Sequence, residues 1–165
     1  MVISQTIEME DMNISQICHH LEHKHYMPIQ DSLGILKNGL NDVMLSYKDQ
    51  EKLVLIEMLL QRLTEEIQQA IRNDLLVLFP LLTKGTATSF NRFPVKSVRE
   101  KSKKIISILN KLRLVCENYI RKPGWDSISK MFFEEMYNLD RMVTDAVLVK
   151  ENYLLPKIMV EQEDE

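Results

Sequence analysis

Apolar residues recur three and four positions apart along four long stretches of this chain, the spacing of helices with one buried face. The first stretch runs from Asn13 to Tyr47. Pro28 lies inside it and must kink or interrupt the helix, and Gly34 and Gly39 weaken its second half. The second runs from Asp49 to Leu78, with Leu53, Ile56, Leu60, Leu63, Ile67, Ala70 and Leu78 as its stripe. Asp74 continues that register, which puts a carboxylate on the core line. A loop from Thr83 to Phe93, rich in small and polar residues, leads to Pro94, which is suited to open a helix at its first position. The third stripe is Val98, Ser102, Ile105, Leu109, Leu112, Cys116 and Tyr119, and Ser102 is its one hydrophilic member before Lys122-Pro123-Gly124 breaks the chain. The fourth stretch, Asp126 to Leu155, carries Ile128, Phe132, Glu135, Leu139, Met142, Ala146 and Tyr153, with Lys150 one turn after Ala146.

Two of these stretches end alike. The second closes on NDLLVLFPLL and the fourth on ENYLLPKIM, each with an apolar pair followed by a proline, Pro80 or Pro156. The pattern predicts two related helical hairpins in an all-α, up-down four-helix bundle. The expected organisation is a flexible segment over 1–12, the bundle over 13–159 and an acidic tail over 160–165.

Composition narrows the picture further. With 165 residues the chain is long enough for one domain with a substantial core. A net charge of −3 gives no global pull towards nucleic acid or anionic membranes. Cys18 and Cys116 do not make a secreted disulfide framework and fit buried, reduced thiols in the cytoplasm. The first fifteen residues are acidic and lack the layout of a signal peptide. No apolar run approaches the length of a membrane span. Ten methionines are many for this length, and Met58, Met131, Met136 and Met142 are expected to fill gaps near the core.

The proline-anchored frames resemble the hemerythrin-like di-iron proteins of the iron–sulfur centre repair type, over roughly Ile14 to Met159. The resemblance implies a bundle whose helices hold two irons with His and Glu and a link to oxidative and nitric oxide stress. In that frame His20, His23 and Pro28 match the first helix, with His20 as ligand, and a second histidine falls near Asn41. The end of the second helix gives Ala70, Asp74 and Pro80. The third gives Pro94 and Ser102, and the fourth Ala146, Lys150 and Pro156. Of the seven implied ligand positions, one keeps a His and one a carboxylate, and the rest are Asn, Ala, Ser, Ala and Lys. Alanine donates nothing to a metal, and an ammonium repels one. The resemblance places Asp74 and Lys150 where two bridging glutamates face each other. A core salt bridge between them, with His20, Asn41 and Ser102 completing a polar network, is therefore the expected replacement.

Other chemistry is open to these residues. All four histidines, His19, His20, His23 and His25, fall within seven residues. His19 and His23 lie one turn apart and can chelate a metal weakly, with His20 beside them. Helical phase puts His25 on the apolar side with Ile14, Cys18 and Leu21, His20 on the flank and His23 opposite. Ser102, Asp74 and His20 nominally supply a nucleophile, an acid and a base, without the glycine-flanked turn that a catalytic serine uses. Arg92, Lys96, Arg99, Lys101, Lys103 and Lys104 make a basic stretch that could meet phosphates or an acidic partner. The expected function is a non-catalytic binding, sensing or regulatory module without a cofactor, acting through a protein partner, with homo-oligomers open. One alternative is an iron protein of repair or of oxygen or nitric oxide response, using His20, Asp74 and a carboxylate such as Glu135. Another is a regulator linked to nucleic acid through Arg92, Lys96, Arg99 and Lys103 or through a separate domain.

Overall fold

The computed structural model describes residues 8–84 and 91–163, and all its regular structure is helical, with no strand among the described residues. The α-helices are α1 (Ile14–His20), α2 (Met27–Ser46), α3 (Gln50–Asn73), α4 (Phe79–Lys84), α5 (Val95–Val115), α6 (Ser127–Val149) and α7 (Leu155–Glu163). Wider π-helical turns at Leu21–Tyr26, Asp74–Leu78 and Lys150–Leu154 join α1 to α2, α3 to α4 and α6 to α7 without a break.

Local chemistry explains the starts. Asn13 and Gln16 exchange side-chain and backbone hydrogen bonds, each 2.9 Å, ahead of α1. Asp49 caps α3 by accepting from the Lys52 N–H at 3.0 Å. Asp126 caps α6 by accepting from the Ser129 N–H at 2.7 Å, and that bond holds its carboxyl below the usual range. Pro94 occupies the cap position before α5, one residue earlier than the first-turn position expected of it.

The π turns resolve the proline problem. The N–H groups of Met27, Phe79 and Leu155 bond back five residues, to the carbonyls of Glu22, Asp74 and Lys150. Pro28, Pro80 and Pro156 come immediately afterwards. A proline in a regular helix lacks its N–H and presses its ring on the carbonyl four residues back. Widening the turn just before it accommodates both defects, so the first helix is re-registered at Pro28 rather than broken.

Helix α2 packs mainly on α6, and α3 mainly on α5. Both pairs are antiparallel. Ser32 meets Glu135 while Gly39 lies over Phe132, and Lys52 meets Glu117 while Glu66 meets Lys104. Leu53, Ile56, Leu60, Leu63 and Ile67 are buried, and Ile71 joins them. Phe132, Leu139 and Ala146 of the expected α6 face are buried, and the face is wider than that stripe. Phe133, Met136 and Val143 are buried, whereas Ile128 and Met131 are exposed. The widening includes the aromatic cluster, in which Phe133 stacks on Trp125 at 4.5 Å and meets Tyr47 at 5.5 Å. Met58 is likewise exposed, on the side of α3 opposite Ile56 and Leu60.

The edges of the expected organisation also move. Met9 is buried and the Lys157 ammonium donates to the Glu10 carbonyl at 2.8 Å, so the first segment is packed from residue 8 onward, and residues 1–7 lie outside the described part. Helix α7 continues through Glu163, so most of the 160–165 tail is helical, with 164–165 outside the described residues. Of the loop expected before Pro94, residues 85–90 also lie outside them. Helix α5 stops before the expected break at Lys122-Pro123-Gly124. Glu117, Asn118 and Tyr119 follow it with φ of 51°, 56° and 60°, a left-handed run that non-glycine residues rarely make. Glu117 is held there by Lys52 at 3.1 Å and by Lys122, and Tyr119 by Asp140 at 2.9 Å.

Candidate functional site

The three π turns contribute one side chain each to a single buried cluster. Tyr26 is the last residue of the first turn, Asp74 the first of the second and Lys150 the first of the third. The Tyr26 hydroxyl donates to Asp74 Oδ2 at 2.5 Å, and Lys150 Nζ donates to the same oxygen at 2.5 Å. All three side chains are buried, and Lys150 retains only 9% of its exposure. Burial and the adjacent Asp74 carboxylate push the Tyr26 phenol well above its ordinary range, so it remains a donor. Tyr26 also stacks on Phe79, the residue that closes the second turn, at 5.9 Å.

Asp74 and Lys150 therefore meet, and Ser102 lines the same cavity of about 40 Å³. Ala70 and Ala146 face that cavity too, and their short side chains leave the space open. Tyr26 was not expected in the cluster. Its signal in the sequence was its place two residues before Pro28, matching Leu78 before Pro80 and Leu154 before Pro156, but helical periodicity loses its phase at a π turn.

Other expected members are elsewhere. Asn41 is exposed on α2 and takes no part in the network. His20 stays on the flank, where its ring faces His25 at 5.2 Å. Burial, followed by Lys24, lowers the His20 pKa, and burial, followed by His20, lowers that of His25. His19 faces His23 at 4.2 Å, so the histidines form two pairs instead of gathering His19, His20 and His23. Glu135 accepts from Ser32 at 2.5 Å. Among the described residues no three His, Cys, Asp or Glu side chains are grouped to hold a metal. The Ser102, Asp74 and His20 set is not assembled for nucleophilic chemistry, because Tyr26 and Lys150 are the hydrogen-bond partners of Asp74.

Cys18 and Cys116 are both buried. Burial, then Asp74, pushes the Cys18 thiol up to about 12, and burial pushes Cys116 up to about 12. Neither is poised as a nucleophile. The basic stretch is partly neutralised, since Arg99 bonds Glu151 at 2.8 Å and Lys104 pairs with Glu66. Arg92, Lys96 and Lys103 remain exposed, while Lys101 lines the cavity.

A second polar cluster escaped the sequence reading. Asp140 of α6 is buried and accepts from Arg113 Nε at 2.8 Å and Nη2 at 2.5 Å. Tyr119 and Thr144 donate to it at 2.9 Å and 3.3 Å. The bonds to Asp140 raise the Arg113 pKa, and burial followed by Asp140 raises that of Tyr119.

No helix among the described residues is long and apolar enough to cross a membrane. No protein-family model matches the chain, and no curated protein matches it.

Proposed function

We propose that the chain is a hemerythrin-like four-helix bundle of the iron–sulfur centre repair type whose di-iron site has been replaced by the Tyr26–Asp74–Lys150 cluster. It acts in the cytoplasm as a non-catalytic binding, sensing or regulatory module through a protein partner. The reading rests on one contact above all. Lys150 Nζ lies 2.5 Å from Asp74 Oδ2, at the two positions where the resemblance implies bridging glutamates.

The donor set does not fit two irons. Ala70 and Ala146 carry no donor atoms. Lys150 presents an ammonium to the space a cation would need, and the Asp74 oxygen is already shared by Tyr26 and Lys150. His20 and Glu135, which an atypical iron site would recruit, are turned to His25 and Ser32. No step of iron chemistry is therefore assigned to this bundle. The Arg99–Glu151 and Lys104–Glu66 pairs likewise weaken the case for a phosphate-binding face.

Metal analysis tests the reading. Protein purified without chelators, then exposed anaerobically to ferrous iron, is expected to hold no stoichiometric iron. About two irons per chain would overturn the proposal. One metal per chain, lost in a His19→Ala/His23→Ala variant, would move the metal chemistry to α1 and its π turn.

A further inference from the structure

We propose that the cavity beside Asp74 and Lys150 binds a small monovalent anion of two to four heavy atoms, of the size and charge of formate or nitrate. The inference deepens the preceding section by naming the ligand class of the same site, and it rests on that reading.

Size comes first. The cavity has about 40 Å³. One water needs roughly 10–15 Å³ on that scale, so the space suits about three waters or one compact ligand. The space exists because Ala70 and Ala146 line it where larger side chains would close it.

Charge and donor count select the ligand. Among the lining residues Lys101 and Lys150 are cationic and Asp74 is anionic, which leaves one net positive charge. An ammonium has three N–H groups. Lys150 Nζ spends one on Asp74 Oδ2, the one hydrogen bond it makes to protein among the described residues. Ser102 adds a hydroxyl and Asn73 an amide at the same cavity. Both hydrogen bonds to Asp74, from Tyr26 and Lys150, fall on Oδ2. The remaining wall is isoleucine and valine, which cannot compensate an unpaired charge. A monovalent anion balances the surplus. A divalent anion would overshoot it, and sulfate, with five heavy atoms, is also larger than nitrate.

Entry is available from one side. Asn73, Lys101, Ser102 and Val147 are half-buried, whereas Asp74, Ile105 and Val143 are buried. A ligand would pass Lys101 and end against Lys150.

The test is a formate titration of the full chain at fixed ionic strength, with gluconate as the balancing anion, followed by amide chemical shifts. Saturable shifts confined to residues around Ala70, Ser102, Ala146 and Lys150 are expected, with nitrate competing and sulfate failing to compete. Lys101→Gln should weaken binding several-fold, and Ala70→Val, which takes up cavity space, should weaken it at least as much. Both positions are half-buried, so both variants keep the buried pair intact. Absence of saturation up to about 100 mM, or shifts that persist unchanged in both variants, would overturn the anion site. The same samples are assayed for iron. An iron-free chain that ignores formate overturns this inference alone, whereas iron at the site overturns the reading beneath it.

Discussion

Two aspartates in this molecule are each held by a tyrosine hydroxyl and a cation, in contrasting surroundings. Asp74 receives Tyr26 and Lys150 on one oxygen, beside a cavity and between three π turns. Asp140 receives Tyr119, Thr144 and a two-pronged Arg113, whose side chain is 32% exposed. The second cluster is chemically complete and rests against water, which suits a structural clamp for the left-handed turn after α5. The first is buried, ties Lys150 to protein by one hydrogen bond among the described residues and borders a cavity. Buried ion pairs add little net stability, yet losing one partner is costly. A site retained on such terms, with room beside it, is better placed to bind something than to brace the fold.

The sharpest way to break this contrast is to remove one charge. Lys150→Met should cost about 3–5 kcal/mol in urea unfolding, because Asp74 would be left buried with Tyr26 alone. A cost no larger than that of a surface substitution would remove the basis for the contrast. Tyr26→Phe comes next, at about 1.5–3 kcal/mol for a hydrogen bond to a charged group.

Alkaline pH probes both clusters at once. Burial raises Tyr26 and Tyr119 above the tyrosine range in the folded state. Their contribution is thus complete below about pH 10, the unfolded value, and is lost as pH rises through the folded values. Stability measured at pH 8 and pH 10.5 should fall, and the fall should shrink in Tyr26→Phe.

Arg113→Met should cost about 1–2 kcal/mol, less than Lys150→Met, since water can reach the orphaned Asp140 side. A larger loss than at Lys150 would reverse the ranking of the clusters. The smallest effect is a gain. Asn118 sits at φ 56°, a conformation that glycine adopts freely, so Asn118→Gly should stabilise by about 0.5 kcal/mol in the same unfolding assay.

Periodicity made the long helices legible. The α3 stripe from Leu53 to Ile67 and the α5 stripe from Val98 to Leu112 need only a 3.6-residue repeat. It failed where the repeat changes. Each π turn shifts the phase, so Tyr26 could not be assigned to the core. Asn41 and His20 were placed inward by the family resemblance, whereas helical phase alone already put His20 on the flank where it lies. Asp74 and Lys150 stood out as charges on or beside an apolar stripe, and the family resemblance, not the periodicity, named them as a pair. A charged residue on an apolar stripe is costly, so its position alone asks for a partner. The Asp140 cluster gave no such sign, because Asp140 lies off the expected α6 stripe. Its partner Tyr119 reaches it through a left-handed run that no local glycine announces.

The most direct test of the central pair is a double-mutant cycle with Asp74→Asn and Lys150→Met, measured by urea unfolding. The account predicts that the double variant is less destabilised than the two single losses added together, by at least about 2 kcal/mol. Additive losses would contradict it, because two side chains that do not interact cannot form the core of a site.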